Sequence, residues 1–295
     1  MVNPTHIYPP STEPGPFNLN RYARVGLHER SDGAFVNAAT ASPLPVSEQI
    51  SSTAIADGLV AGTKSIYKFG FNSDIDHDEE TVWSNGGIYV YPTTAARMYV
   101  NSTSSNDTAG GTGVRSIRVF GLDANYNEVS EDLAMTGQSQ TLTANTYIRV
   151  YRAYALTAGS LGTAAGTVYI ANGAGLSGQS IPTGDILANL GTDNQTQLAL
   201  WTVPAGYTFY LSQVDFTAAV SQGNQYLTTK LRVREFGGGF RTLFVNVLQS
   251  GTYVTDIQIP LSLPEKTDIE CRASSSGNND PVSASFAGIY TLNTP

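Results

Sequence analysis

An all-β fold is what this sequence predicts: two antiparallel β-sandwiches of jelly-roll type behind an extended N-terminal arm. Three observations predict it. The chain of 295 residues carries 29 Gly and 16 Tyr but only 14 % charged residues, the mixture that short strands joined by glycine-rich turns produce. Residues 226–249, YLTTKLRVREFGGGFRTLFVNVLQ, alternate with a period of two. Leu227, Leu231 and Val233 fall on one face and Lys230, Arg232 and Arg234 on the other, as in a half-buried antiparallel strand. Turn signals are the third observation: Asn85-Gly86 upstream and Gly237-Gly238-Gly239 inside the hairpin itself.

Taken in order, residues 1–65 read as an arm. Pro4, Pro9, Pro10, Pro14 and Pro16 favour an extended, polyproline-like path. Residues 46–61 hold a short helix, with Ile50 and Leu59 as apolar contacts. The arm has too little apolar surface to offset its ordering entropy alone, so it is either flexible or laid against something else.

The first sandwich is expected over 66–175. SIYKFGF is a strand, and TVWSNGGIYVY is a hairpin about Asn85-Gly86. Residues 97–101 form another strand, and 101–113 a Ser/Asn/Gly loop. VRSIRVFGLD and NEVSEDLAM form a second hairpin, with Ile117 and Val119 facing Val129 and Leu133. TYIRVYRAYAL and GTVYIA complete about seven strands, enough for a sandwich. Residues 176–194 are glycine-rich and read as the linker, with room for a short strand near Asp185.

The second sandwich is expected over 195–295. Two strands flank Pro204-Ala205-Gly206, and the basic-faced hairpin follows, its return arm placing Leu243, Val245 and Val247 on the apolar underside. YVTDIQI, KTDIECRAS and VSASFAGIYTL close the set.

Several function classes are excluded or disfavoured by composition. With 24 acidic and 16 basic side chains the formal charge is −8, so no nucleic acid partner is expected. Cys271 is the single cysteine; it alternates with Ile269 and Ala273 and reads as a buried, inert thiol. No apolar run approaches the ~18 residues of a membrane span, and the N-terminus carries no secretory pattern. No membrane partner is expected.

Candidate chemistry is sparse. NSDIDHDEE at 72–80 places Asp74, Asp76 and Asp78 like the first ligands of a calcium loop. Its glycine position is Glu79 and its bidentate position Asn85, so it reads as an acidic surface loop rather than a metal site. His6, His28 and His77 are the only imidazoles and no GxSxG elbow occurs, which disfavours a catalytic triad. A carboxylate pair for glycoside cleavage would come from Asp123, Glu128, Asp132, Asp215 or Glu235. No catalytic residue, cofactor or metal is assigned. Tyr and Arg are enriched at interfaces, and the interface candidates are Arg21, Tyr22 and Arg24 in the arm, Arg149, Tyr151 and Arg152 on one strand, and the stripe of Lys230, Arg232 and Arg234.

RYARVGL, GTGVRSIRVFGLDANYNEVSEDLAMTG, VPAGYTFYLS, REFGGGF and LPEKTDIECRASSSGNNDPVSASFAGIY together resemble uncharacterised virion structural proteins of tailed bacteriophages. GLDANYN and LPEKTDI are the most specific parts, and neither carries a known chemistry. The resemblance implies a non-enzymatic virion component assembled in the host cytoplasm, a capsid decoration or cement protein with other virion proteins and copies of itself as partners. The alternatives are a tail or appendage protein that binds host glycans and, further off, a polysaccharide-degrading enzyme. A jelly roll suits capsid and lectin proteins alike.

Overall fold

The structure, a computed structural model, describes residues 27–29, 35–37, 52–175, 185–220 and 222–293. The chain divides into two units, Met1–Ser51 and Ser52–Pro295. In the first, β1 (Leu27–Glu29) pairs antiparallel with β2 (Phe35–Asn37), His28 opposite Val36. The polyproline-like path expected for the arm, and Arg21, Tyr22 and Arg24 with it, lie outside the described residues.

The second unit begins with α1 (Ser52–Ala56), inside the segment where a short helix is expected. The strands are β3 (Thr63–Ile75), β4 (Glu80–Thr81), β5 (Ala96–Ser102), β6 (Val114–Leu122), β7 (Glu128–Ala134), β8 (Thr141–Tyr147), β9 (Arg149–Ala158) and β10 (Val168–Ala171). They continue as β11 (Ile186–Leu190), β12 (Leu200–Thr202), β13 (Tyr207–Ala218), β14 (Leu227–Arg234), β15 (Arg241–Leu248), β16 (Gly251–Leu263), β17 (Asp268–Ser275) and β18 (Asp280–Leu292). The fold is all-β, in antiparallel sheets.

Four of those sheets make two sandwiches. One pairs the order β11-β10-β5-β8 with β7-β6-β9; the other pairs β12-β17-β14-β15, with β4 added to β17, with β16-β13-β18-β3. Each has its own apolar filling. Met98, Val100, Ile117, Val119, Val150, Val168, Ile170 and Leu187 fill the first. Trp201, Phe209, Phe216, Leu231, Ile269, Cys271 and Phe286 fill the second. Burial of this apolar area is the dominant stabilising term. Cys271 is a free, buried thiol whose pKa is pushed up by burial.

Four local expectations change. First, β3 pairs along its length with β18, Lys68 opposite Phe286, and so belongs to the sheet built from the C-terminal strands. Periodicity reports that a segment is a strand, not which distant edge it joins.

Second, the turn at Asn85-Gly86 forms, with Gly86 at φ 71° and Gly87 at φ 65°, but its arms do not make a ladder. Val82 instead donates to the Cys271 carbonyl and accepts from Ala199 N, so the first arm is taken up by strands far along the chain. The second arm turns inward as an aromatic ladder, Trp83 to Tyr89 to Tyr91 at 5.2 and 4.8 Å between ring centroids. Such edge-on contacts are favourable.

Third, β15 slips by one residue: Arg232 faces Thr242 and Leu231 faces Phe244, leaving Leu243 as the bulge. A one-residue slip moves every later side chain to the opposite face. Val245 and Val247 therefore lie 56 % and 64 % exposed rather than on the apolar underside. Fourth, the short strand foreseen near Asp185 forms as Ile186–Leu190, but it is buried and joins β10 in a sheet rather than standing in a linker. Its run of small and apolar residues has no alternation because both faces are covered. Residues 176–184 of that linker lie outside the described residues.

Lys68 is buried with no carboxylate partner among the described residues; its Nζ donates to the Tyr151 carbonyl. Burial, and the nearby charge of Arg152, push its pKa well below the usual lysine value. The unfolded chain then holds a proton that the folded chain lacks, between the lowered folded-state value and about pH 10.4. Stability in that window rises with pH, by up to about 1.4 kcal/mol per unit. By themselves, the raised Cys271 thiol and the buried Tyr89, Tyr147, Tyr151 and Tyr290 make stability fall with pH in both proteins. Urea unfolding at pH 9 and pH 10 should therefore give a slope more positive in the wild type than in Lys68→Met, the difference being that of Lys68. Equal slopes in the two proteins would mean that Lys68 is charged when folded.

Candidate functional site

The acidic loop and the basic stripe meet each other. Glu79 accepts from Lys230 Nζ at 2.5 Å, Arg232 Nη1 at 2.7 Å and Arg272 Nη1 at 3.3 Å. Burial alone would raise the Glu79 carboxyl, but these three cations hold it below the usual range. Two other carboxylates of the loop are also held. Asp76 Oδ1 accepts from Asn279 N, and Glu80 accepts from Gly87 N, Asp76 N and Asn72 Nδ2. Among the described residues no three His, Cys, Asp or Glu side chains group as metal ligands. The stripe is thus largely charge-matched, with Lys230 and Arg232 directly across from the buried Arg272 and Glu270 of β17.

Further along the stripe sits a second hub, Asp268. Its carboxylate accepts Arg149 Nε at 2.9 Å and Nη2 at 3.1 Å, Arg234 Nε at 3.0 Å and Nη2 at 2.6 Å, and Thr202 Oγ1 at 2.5 Å. Arg149 Nη1 also donates to the carbonyls of Pro92 and Ile148. Two arginines in a fork around one carboxylate hold all three groups in one geometry.

Around that hub lies a pocket of about 330 Å³, lined by Tyr91, Tyr126, Arg149, Arg234, Phe236 and Lys266 among others. The guanidinium of Arg234 lies 4.6 Å from the Tyr91 ring centroid and that of Arg149 5.0 Å from it. Lys266 Nζ lies 5.3 Å from Phe236 and 5.8 Å from Tyr126, and those two rings meet edge to face at 5.7 Å. Cations over ring faces are attracted by the ring quadrupole.

Two walls of the pocket are held in an uncommon backbone conformation. Tyr126 has φ 67° and Lys266 φ 60°; the remaining non-glycine residues at positive φ among those described are Asn194 and Asn279. Asparagine visits this region readily, whereas Tyr and Lys do so at a cost. Both are pinned to one segment: Lys266 N donates to Val203 O at 2.8 Å, and Ala205 N donates to Tyr126 O at 2.9 Å. GLDANYN supplies Tyr126, LPEKTDI supplies Lys266 and Asp268, REFGGGF supplies Arg234 and Phe236, and VPAGYTFYLS supplies the pinning carbonyl and amide. Four segments scattered in sequence thus converge on one pocket.

The interface candidates divide accordingly. Arg149 and Tyr151 are buried inside the chain rather than presented on a face. Arg152 donates to the Tyr67 carbonyl at 2.8 Å. Lys230, Arg232 and Arg234 are partly exposed and ion-paired. The carboxylates considered for glycoside cleavage each have separate partners: Asp132 holds Arg118, Asp123 closes its own turn through Asn125 and Asn127, Glu128 takes Lys64 and Tyr290, Asp215 takes Gln213 and Ser285, and Glu235 takes Arg241. Sequence reasoning missed Tyr91, Tyr126, Phe236, Lys266 and Asp268. The only signal for Tyr126, Lys266 and Asp268 was that GLDANYN and LPEKTDI stand out as motifs without a chemistry.

No family model matches the chain, and no curated protein does. Among solved structures it is similar to that of infectious bursal disease virus Gx strain, at 12 % identity and a TM-score of 0.22, over 79 % of this chain and 73 % of that one. It is also similar to the STIV MCP, at 11 % identity and a TM-score of 0.20, over 77 % of this chain and 97 % of that one. A third is the infectious bursal disease virus VP2 subviral particle, at 9 % identity and a TM-score of 0.19, over 78 % and 72 %. Likenesses this distant carry no argument about function.

Proposed function

We propose that this chain is a structural component of a virion and, within that class, a capsid decoration protein of a bacteriophage that binds the shell and neighbouring copies through strand surfaces. The observation that carries the reading is the pair of edge strands β15 and β16. β15 ends one sheet and β16 ends another, and outward along them stand Val245, Val247, Tyr253, Val254 and Ile259, the last 84 % exposed. A long edge with unpaired backbone groups and exposed apolar side chains is a template for pairing with another chain. The resemblance of the quoted segments to virion structural proteins supports the same reading. Two sandwiches, with β3 and β4 completing the sheets of the second and β11 a sheet of the first, and a role for the N-terminal residues in attachment, belong to this proposal.

The test adds purified protein to virions that lack it. Full-length protein should label the shell at many sites. The triple variant Val245→Lys, Val247→Lys, Ile259→Lys should bind at least tenfold more weakly with an unchanged melting temperature, because its side chains already face water. A chain starting at Ser52 tests the N-terminal residues without removing the start of β3, which pairs with β18 from Thr63 onward. Labelling confined to the tail vertex would replace the decoration reading by the appendage one.

A further inference from the structure

The pocket around Tyr126 and Lys266 has more positive charge than its own carboxylates use. Its lining cations are Arg149, Arg234 and Lys266, and its lining carboxylates are Asp268 and Glu235. Lys266 makes no ion pair with a described residue and only faces rings. Arg234 is tied to Asp268 through Nε and Nη2, with Nη1 unused by any described acceptor. Glu235 at the rim is already paired with Arg241. A protein of net charge −8 therefore places one unpaired ammonium, Lys266, and one guanidinium with an unused N–H edge, Arg234, at one concave, ring-walled place, the arrangement expected where an anion is bound.

The rings narrow the class of anion. Phe236 stands 66 % exposed at the mouth, edge to face with Tyr126, so the entrance presents apolar faces set at 85° to one another. A bare phosphate or acetate would use the cations and leave these faces and most of the volume empty. A six-membered sugar ring bearing a carboxylate would use both, its C–H faces on the aromatics and its carboxylate toward Lys266 and Arg234.

We propose that this pocket binds one carboxylated sugar unit of an acidic polysaccharide, with Lys266 and Arg234 on the carboxylate and Tyr126 and Phe236 against the ring. This assignment does not rest on the virion reading, since the isolated full-length protein suffices to test it.

The experiment titrates the protein with D-glucuronate, glucose, acetate and inorganic phosphate, followed by calorimetry or NMR shifts. Glucuronate should bind at least tenfold more tightly than each of the other three. Lys266→Gln and Phe236→Ser, neither of which touches the buried Arg149–Asp268 pair, should each weaken glucuronate at least fivefold with an unchanged melting temperature. Oligomers of uronic acid should compete for the same residues. Binding of phosphate or acetate as tight as that of glucuronate would make the pocket a general anion site and overturn the sugar assignment. Failure of glucuronate to outbind glucose, or its unchanged affinity in both variants, would overturn it as well.

Discussion

Asp268→Ala should lower the stability of the folded chain by about 3–5 kcal/mol, the usual cost of removing one partner from a buried ion pair. Asp268 and Arg149 both have side chains only 5 % exposed. Without the carboxylate the Arg149 guanidinium is left in the interior with only the carbonyls of Pro92 and Ile148 as acceptors. Thr202 and Arg234 lose their acceptor at the same time. For a unit of this size the loss corresponds to a fall in melting temperature of roughly 6–20 °C. Arg234→Gln, which removes the more exposed partner, should cost no more than about 1 kcal/mol. Calorimetry on the two variants separates the cases. A loss below about 1 kcal/mol in Asp268→Ala would show that the hub is dispensable to the fold.

Asp107→Ala is the second substitution expected to be severe. Asp107 is buried and has no cationic partner among the described residues; four donors satisfy it instead. Oδ1 accepts Val114 N and Ala165 N at 2.8 Å each, and Oδ2 accepts Gly166 N at 3.0 Å and Ser102 Oγ at 2.6 Å. It thereby ties the loop after β5 to the start of β6 and to the loop before β10. Alanine would strand three backbone N–H groups, two on the loop before β10. An unsatisfied buried donor costs about 1–3 kcal/mol, so the sum is on the order of 3–5 kcal/mol once water reaches the loop. Asp107→Asn, which keeps one acceptor oxygen, should recover part of this. Chemical denaturation gives the two values directly, and an Asn variant as damaged as the Ala variant would show that charge, not acceptor number, holds the loops. Faster amide exchange at Val114, Ala165 and Gly166 in the Ala variant is the local signature.

Much of the fold was legible in the chain because its cause is local. Alternation in Leu227, Leu231 and Val233 marks β14 as half-buried. The hairpin of β6 and β7 follows from two alternating arms about Asp123–Asn127, and Ile117 does face Leu133. Cys271 between Ile269 and Ala273 is buried, as its period requires. Each of these depends on a side-chain period or a turn residue within a few positions, which the sequence displays without reference to anything distant.

What only the tertiary structure decided depends on which distant segments meet. β3 could have joined any open edge, and its partner β18 lies more than two hundred positions away in the chain. A single bulge at Leu243 reversed the faces of Val245 and Val247, and no residue type in that arm announces a slip. The acidic loop and the basic stripe are each plain in the sequence as surface charge. Only folding brings Glu79 within 2.7 Å of Arg232 and so turns two apparent interaction sites into one internal contact. The pocket is the extreme case. Tyr126, Lys266, Arg234 and Phe236 sit on three separate loops, and each is an ordinary turn or strand-end residue by itself. Their shared chemistry comes from the way the two sandwiches close their loops toward one another, a long-range arrangement fixed by the packed cores beneath.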